Sequence, residues 1–551
     1  MNIVDKTVAF FNPVAAVRRT AARATLDAVK NYGYSEGAAS RKKKTMKNWR
    51  NESASPQSDI DMNLDLMRRR SRSAYYTSPI ATSAINTNRD HVIGSGLKLV
   101  PKIDYKFIGI SREKASDLER DIKFKFNTWA SSKNCCITGQ NTFYELQQIA
   151  LMTWLMSGEC FAIPMYVDNP DSDFQLTIKL LEGDLIYNPG SSAEFVDIYR
   201  INPDTGNRIY NGIEIDDNDR VVAYHVASDY SDRPLSSISW TRIPAYGENT
   251  GFPNVLHVFN AIRPQQYRGI PYLAPVIEDI KQLRRYEDAE IMAAVINGLF
   301  SVFIKTEDGE PPAFEGIDET KFSAQTSGGM PLPEEKKHGD LDLDIGNGNI
   351  NVLRPGEDIK IVDGKRPSSN FDAFIQSVCM TTGAALDIPN ELLLKRFSAS
   401  YSASRGALLE AWNFFSMNRT WFSDSFNNPI YRRWLSEAVA KGIIDLPGFF
   451  DNRYIREAYS RAEWPGPSQG QLDPTKEVAA SISKINAGLS NGEKEAIELN
   501  GTDYEENLEQ IAAERQTMDK LGIKMAGMND GTSDGGNDET DKHQRSDRVG
   551  R

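Results

Sequence analysis

The segment from Pro275 to Pro389 constrains this chain more than any other stretch. Pro275 stands where a helix first turn tolerates a residue without an N–H, and Val276, Ile280, Leu283, Ile291, Val295 and Leu299 follow as the apolar positions of a long helix. About 25 helical residues would reach roughly 37 Å at 1.5 Å per residue. A stretch rich in Gly, Pro and charge then runs from Thr306 to Pro367, suited to loops and short strands. Ser369 to Asp372 reads as a capping signal. Phe371, Phe374, Ile375, Val378 and Ala385 then line one face of a second helix, which Pro389 ends. Helix out, small insertion, helix back is a hairpin with a compact domain at its tip. The most apolar window, Ala289–Ile304, contains Glu290 and Asn297. It falls short of the ~20 residues that span a bilayer, so a packed helix running into a strand is expected and no membrane partner.

The flanking regions have different periods. From Asp61 the pattern is helical, pausing at Pro79 and at Gly94 and Gly96. Ser111 can cap a helix with Ala115, Leu118, Ile122, Phe126 and Trp129 on one face, and a second helix runs from Thr142 to Met156. Between Glu159 and Phe259 the runs CFAIPMYV, LTIKLL, VVAYHVA and VLHVF alternate with turn residues, the signature of a mostly antiparallel sheet in an α+β domain. After Pro389, Leu408, Trp412, Phe415 and Phe422 align on a helix from Ser402 to Phe422. Asn428-Pro429 is expected to break it before another helix to Ala440. Asp473-Pro474 opens a helix closed by Gly488, and Asp503 with Glu506 opens one closed by Gly522.

At 551 residues the chain exceeds what one core supports, so two to four domains are expected. The net charge is -12, but residues 1–73 hold 15 Lys and Arg against 7 Asp and Glu. The runs Arg41–Lys44 and Arg68–Arg72 dominate that excess; it reads either as a solvated tail or as an arm that meets an acidic partner or DNA. Cys135, Cys136, Cys160 and Cys379 show no CxxC pairing, so reduced thiols are expected. The start of the chain lacks the long apolar run of a secretory signal.

Catalytic signals are weak. No GxxxxGK[ST] occurs; Gly364-Lys365-Arg366 lacks the upstream glycine and the hydroxyl. None of the five histidines pairs with another at metal-ligand helix spacing. Gly488-Leu489-Ser490-Asn491-Gly492 matches GxSxG, but a nucleophile elbow needs a preceding strand and a helix is expected there. Asp340, Asp342 and Asp344 alternate with Leu341, Leu343 and Ile345, which suits an exposed strand better than a metal site. No cofactor or metal is expected.

Three blocks in one order carry a family resemblance: HVFNAIRPQQYRGIPYLAPVIEDIKQLRRYEDAEIMAA from His257, SASYSASRGALLEAWNFFSMNRTWFSDSFNNPIYRRWLSEAVAKGII from Ser398, and LDPTKEVAASISKINAGLSNGEKEAIELNGTDYEENLEQIAAER from Leu472. The chain resembles the lambda-type portal proteins of tailed bacteriophages. Arg263, Pro264, Gln266, Arg268 and Gly269 match the family's RPxQxRG turn. Leu353, Pro355, Gly356 and Glu357 match its LxPGE strand. Tyr401, Ser402, Ser404, Arg405, Leu408, Leu409 and Glu410 match its NYSSxRxxLLE helix start, with Ala403 in place of a serine.

The resemblance implies an α+β portal fold assembled as a ring, usually of twelve copies, at one capsid vertex. It implies a flexible arm (1–55), an α/β wing (56–270), a first stem helix (271–305), a clip insertion (306–362) and a second stem helix (363–388). A tunnel loop (389–401), wing-spanning helices (402–445), a helical crown (446–524) and a disordered tail (525–551) complete it. The implied partners are further copies of the chain, the terminase large subunit, major capsid and scaffold proteins, the head–tail connector and double-stranded DNA, in the virion and, during assembly, the host cytoplasm. Lys395, Arg396, Phe397 and Ser398 in the tunnel loop are the first DNA-contact candidates. Lys281, Arg284 and Arg285 on the first stem helix are the second; they suit pairing with carboxylates of a neighbouring copy equally well. No intrinsic catalysis is expected; the alternative is a terminase-like catalytic component of the packaging machinery.

Overall fold

The computed structural model describes residues 13–15, 17–19, 21–22, 44, 54–191, 199–231, 233–298, 302–305, 350–353, 371–397, 400–469 and 473–522. A helix of sixteen residues, α1 (Met62–Thr77), ends at Ser78, whose backbone is extended (φ −112°, ψ 119°). The proline that follows disfavours helical backbone at Ser78 and then begins α2 (Pro79–Val92) at a position that needs no N–H. α3 (Arg112–Ser131) starts at Ser111, whose hydroxyl accepts from the Lys114 N–H, and buries Ala115, Ile122, Phe126 and Trp129. α4 (Phe143–Ser157) has a reciprocal cap: the Thr142 N–H donates to Glu145 Oε2 at 2.7 Å, and the Glu145 N–H donates to Thr142 Oγ1.

The β runs form two antiparallel sheets. β2 (Cys160–Tyr166) lies between β3 (Leu176–Glu182) and β9 (Leu256–Val258), with Phe161 opposite Leu181 on one side and His257 on the other. β4 (Tyr199–Ile201), β5 (Arg208–Tyr210), β6 (Ile213–Ile215), β7 (Val221–Ala227) and β8 (Trp240–Pro244) form a meander in chain order. The short β1 (Val100–Pro101) pairs with β12 (Ala462–Glu463), which brings a late segment back onto the helices.

The largest core is aromatic. Phe126 meets Phe143, Tyr431, Trp434 and Trp464 edge-on with ring centroids 5.1–5.8 Å apart, an arrangement that adds to area burial. Tyr431 and Trp434 belong to α8 (Asn428–Ala440). The expected break at Asn428-Pro429 does not occur. α7 (Tyr401–Phe422) runs through a π turn, Ser423–Asn427, straight into α8. The Asn428 N–H donates to the Ser423 carbonyl, an i to i−5 bond. That widened turn accommodates the missing N–H of Pro429 and the clash of its ring with the preceding turn.

α5 (Ile277–Gly298) and α6 (Phe371–Ala385) pack together, the Tyr286 ring lying 4.8 Å from Phe374 and 5.6 Å from Phe371. Beyond α5 comes β10 (Val302–Lys305), which pairs in parallel with β11 (Ile350–Leu353) before α6 returns. Helix into strand, and helix back after an insertion, follow the expected order. The insertion itself, with Pro355, Gly356 and the Asp340–Asp344 alternation, lies outside the described residues, as do nearly all of 1–55 and all of 525–551. α9 (Arg453–Tyr459) precedes β12, and α10 (Pro474–Asn486), α11 (Gly492–Asn500) and α12 (Tyr504–Leu521) close the described chain, capped by Asp473, Asn491 and Asp503.

Candidate functional site

The RPxQxRG turn is held by the most buried ionic arrangement among the described residues. Arg268 is fully buried. Its guanidinium donates to Glu159 Oε1 (2.5 and 2.8 Å), to the carbonyls of Ile186 (2.8 Å) and Gly183 (2.7 Å), and to that of Asn211. Arg68 of α1 reaches the same Glu159 oxygen, while Glu159 Oε2 accepts from the Gly269 N–H (2.9 Å) and lies 2.9 Å from His257 Nε2. Burial alone would raise the Glu159 carboxyl, but Arg268, Arg68 and His257 outweigh it and hold the group well below the usual carboxylate range. Burial lowers His257, so the ring is neutral and donates near neutral pH. Asp61, just before α1, is pushed up to about 6, chiefly by burial; its Oδ2 has no hydrogen-bond partner among the described residues.

Backbone geometry fixes this turn as tightly as charge does. A Cβ on Gly269 would sit 1.9 Å from the Gly158 carbonyl oxygen, so the two chains can cross here only without a side chain. Gln266 braces the turn by accepting from the Ile262 and Arg263 N–H groups and donating to the Arg268 carbonyl. Arg263 pairs with Asp59 at 2.7 Å, and Pro264 is exposed. Sequence reasoning missed Glu159 as the counter-charge of Arg268, and Arg68 and His257 as the other groups on that carboxylate. The available signal was a glutamate directly before an apolar strand run, where a buried charge demands a counter-charge. The basic run Arg68–Arg72 is accordingly not a solvated arm: it lies on α1, Arg68 is buried, and Arg72 pairs with Glu182 (3.1 Å) and Asp184.

The segment after α6 is built differently. Gly383 lets the chain fold back, since a Cβ there would lie 2.5 Å from the Ile388 carbonyl oxygen, and the Ile388 N–H donates to the Gly383 carbonyl. Pro389 does not merely end a helix: it is the N-cap of a single helical turn, Asn390–Leu393. Buried Leu393 and a bond from Ser83 Oγ to its carbonyl (2.7 Å) pin that turn to α2. Lys395 then adopts left-handed backbone (φ +52°). Lys395, Arg396 and Phe397 are exposed, and among the described residues Arg396 makes one ion pair, 3.6 Å from Asp372. Ser398 lies outside the described residues.

Tyr401 and Ser402 begin α7, Arg405 stands 3.6 Å from Glu477 of α10, and Glu410 is exposed. On α5, Lys281, Arg284 and Arg285 are exposed; Arg284 pairs with Asp288 (3.4 Å) and Arg285 donates to Gln282 (3.3 Å). Thus the two basic groups expected near DNA remain solvent-facing, and one cation of each is lightly tied to a carboxylate on a helix.

The remaining signals resolve into structure. The GxSxG residues form the turn between α10 and α11, with a helix ahead of the serine. His225 faces Glu214 at 3.0 Å, and His91 stacks on Phe415. All four cysteines are buried and unbridged. Among the described residues no group of His, Cys, Asp or Glu could hold a metal ion, and no helix is long and apolar enough to cross a membrane.

Comparison with known proteins agrees with the motifs. The chain is 24% identical over 457 residues to the portal protein of Escherichia phage N15, covering 82% of each. It is 23% identical over 451 residues to portal protein B of Escherichia phage lambda, covering 81% of this chain and 82% of that one. Among solved structures, a chain of the virion of a native gene transfer agent particle aligns with 80% of this chain and 94% of its own at a TM-score of 0.36 and 12% identity. The sequence profile of the phage portal protein, lambda family, matches residues 42–419. The chain belongs to the lambda family of phage portal proteins.

Proposed function

We propose that copies of this chain close into a ring, most simply of twelve, through which double-stranded DNA is packaged and later leaves the capsid. The observation that carries the reading is the family match over residues 42–419. In this reading residues 56–270 are the wing, α5 and α6 the stem, 306–362 the clip, 389–401 the tunnel loop, and α10–α12 the crown. The terminase large subunit and later the head–tail connector dock on the clip; capsid and scaffold proteins surround the ring. The role is structural, and the work of packaging comes from the docked motor.

Two physical features support it. Val276, just before α5, and Ile280 and Leu283 on it are buried, whereas Ile291, Met292 and Val295 farther along α5 are 52–60% exposed. On α6, Phe374 and Met380 are exposed at 48% and 53%. An apolar stripe that one chain leaves open is material for a contact with the next copy, and head-to-tail contacts that close make rings. The overall charge of -12 also suits a conduit: duplex DNA carries about one charge per 1.7 Å, and a mostly acidic wall lets it slide where a basic one would hold it.

Negative-stain microscopy and native mass spectrometry of the purified chain test the reading. Rings with a central hole are the expected result; only monomer at micromolar concentration and low salt would overturn it. Removing residues 306–362 is expected to leave rings but abolish motor docking.

A further inference from the structure

Three arginines converge on a pocket of about 340 Å³ between α8, α9 and the loop after β8. Arg432 comes from α8, and Arg453 and Arg456 from α9. Phe252 forms one wall and meets two guanidinium groups: Arg456 lies 5.7 Å and Arg433 5.5 Å from its ring centroid. Arg433 is buried and anchors the loop by donating to the Pro253 carbonyl at 2.7 Å. Pro253 and Pro429 complete an apolar lining.

Charge in this pocket is not balanced internally. Glu457 is the one carboxylate lining it, and it is already paired with Arg432 at 2.7 Å. Arg453 and Arg456 have no ion pair among the described residues. The adjoining pocket of about 550 Å³, which shares Arg432 and Ser460, differs. There Lys102 pairs with Glu493, Arg461 with Asp104 (2.7 Å), and Arg112 with Glu505 (3.3 Å) and Glu119 (3.6 Å). In a chain of net charge -12, unpaired arginines kept together beside an aromatic wall are poised for an external anion.

We propose that this pocket binds an acidic, partly apolar peptide segment of a partner protein, a carboxylate lying between Arg453 and Arg456 and an apolar side chain against Phe252. Arginine forks match carboxylates in two-bond geometry, and the proline and phenylalanine walls favour a carboxylate flanked by an apolar group over a bare ion. Duplex DNA fits poorly: its phosphates lie on a convex rod and call for a row of cations, whereas these arginines are grouped around Phe252 and carry Glu457 among them. The assignment does not depend on ring formation.

The test uses the full chain and a fluorescein-labelled synthetic peptide of Glu-Glu-Phe repeats, with a Lys-Lys-Phe peptide and a short labelled duplex as the other arms. The expected result is saturable binding of the acidic peptide alone, weakened about tenfold by Arg453→Gln, with binding partly kept by Arg453→Lys. Arg453 is exposed, so thermal unfolding of both variants should match the parent. Acidic-peptide affinity unchanged by Arg453→Gln, or no binding of it at all, overturns the proposal. So does loss of duplex binding in that variant with the peptide unaffected, which would make the pocket a nucleic-acid site.

Discussion

Arg268 lies in a motif that carries the family likeness and Arg396 in the loop that the likeness implies as the tunnel loop, yet the fold treats them oppositely. Arg268 has no exposed surface and spends its donors on one carboxylate and three carbonyls. Arg396 is 62% exposed and, among the described residues, keeps one long ion pair with an exposed aspartate. Family likeness alone does not separate arginines that hold the chain together from arginines left free to meet something else. Burial and partners do, and the two regions should therefore fail in different ways when altered.

The largest effect is expected at Glu159. Glu159→Gln keeps the shape but removes the charge that faces Arg68 and Arg268, leaving two buried cations uncompensated. Breaking a buried pair in this way costs roughly 3–5 kcal/mol. Denaturant unfolding should show that loss, whereas Arg396→Ala should change stability by about 0.5 kcal/mol or less. Equal effects of the two substitutions would erase the distinction between the regions.

The pH response sharpens the contrast next. Asp61 beside the cluster is raised from 3.8 to about 6. Well below pH 3.8 the group is protonated whether the chain is folded or not. As pH rises to about 6 the unfolded chain loses this proton first, so stability falls across that window. The penalty, about 3 kcal/mol at full ionisation, is complete above the folded value. Glu159 acts in the opposite sense: its stabilisation is present above the ordinary carboxylate range and fades as pH falls towards its depressed folded value. Asp61→Asn should therefore match the parent near pH 3 and become the more stable protein as pH rises past 6. A stability difference that stays flat from pH 3 to 7 would show that Asp61 is not the group titrating.

The contact between α12 and α3 gives a smaller, salt-dependent effect. α12 buries no residue; it is tied to α3 by Arg112–Glu505 (3.3 Å), Arg120–Glu509 (3.0 Å) and Lys123 with Asp503 (2.9 Å) and Glu506 (2.5 Å). Such pairs are mostly exposed and weaken with ionic strength. Lys123→Ala should cost about 1 kcal/mol. Limited proteolysis within α12 should quicken in high salt at temperatures where the aromatic core is intact. Proteolysis insensitive to salt would mean that something other than charge holds the helix.

How far the sequence foretold these regions depends on the range of the interactions. Helices capped by Ser111, Asp473 and Asp503 were legible because a cap and its helix are neighbours in the chain. The β runs were legible by composition, but their division into two sheets was not, because pairing is a long-range choice. The cluster at Glu159 joins residues 68, 159, 257 and 268, and nothing local announces such a meeting. The helix through Pro429 misled for the converse reason: proline is a local breaker, and the π turn that tolerates it is stabilised by packing around Phe426, Tyr431 and Trp434. The basic candidates at 395–397 were found by the family likeness; the fold adds that they are exposed and follow a pinned helical turn.

The smallest expected effect on the isolated chain is at that exposed turn, and it has the most to say about function. Lys395→Ala with Arg396→Ala removes two solvent-facing cations and one 3.6 Å ion pair, so unfolding should shift by about 0.5 kcal/mol or less. Left-handed backbone at Lys395 is no more costly for alanine than for lysine to a first approximation, because both carry a Cβ. If the turn faces DNA in the proposed ring, each contact is worth on the order of 1 kcal/mol or less, being screened, but it is repeated in every copy. The double variant should therefore form rings normally and fail late, in completing or retaining a packaged genome, when the DNA presses hardest. Particles of the double variant that hold a genome of full length, as stably as the parent does, would remove these residues from the channel reading while leaving the buried cluster untouched.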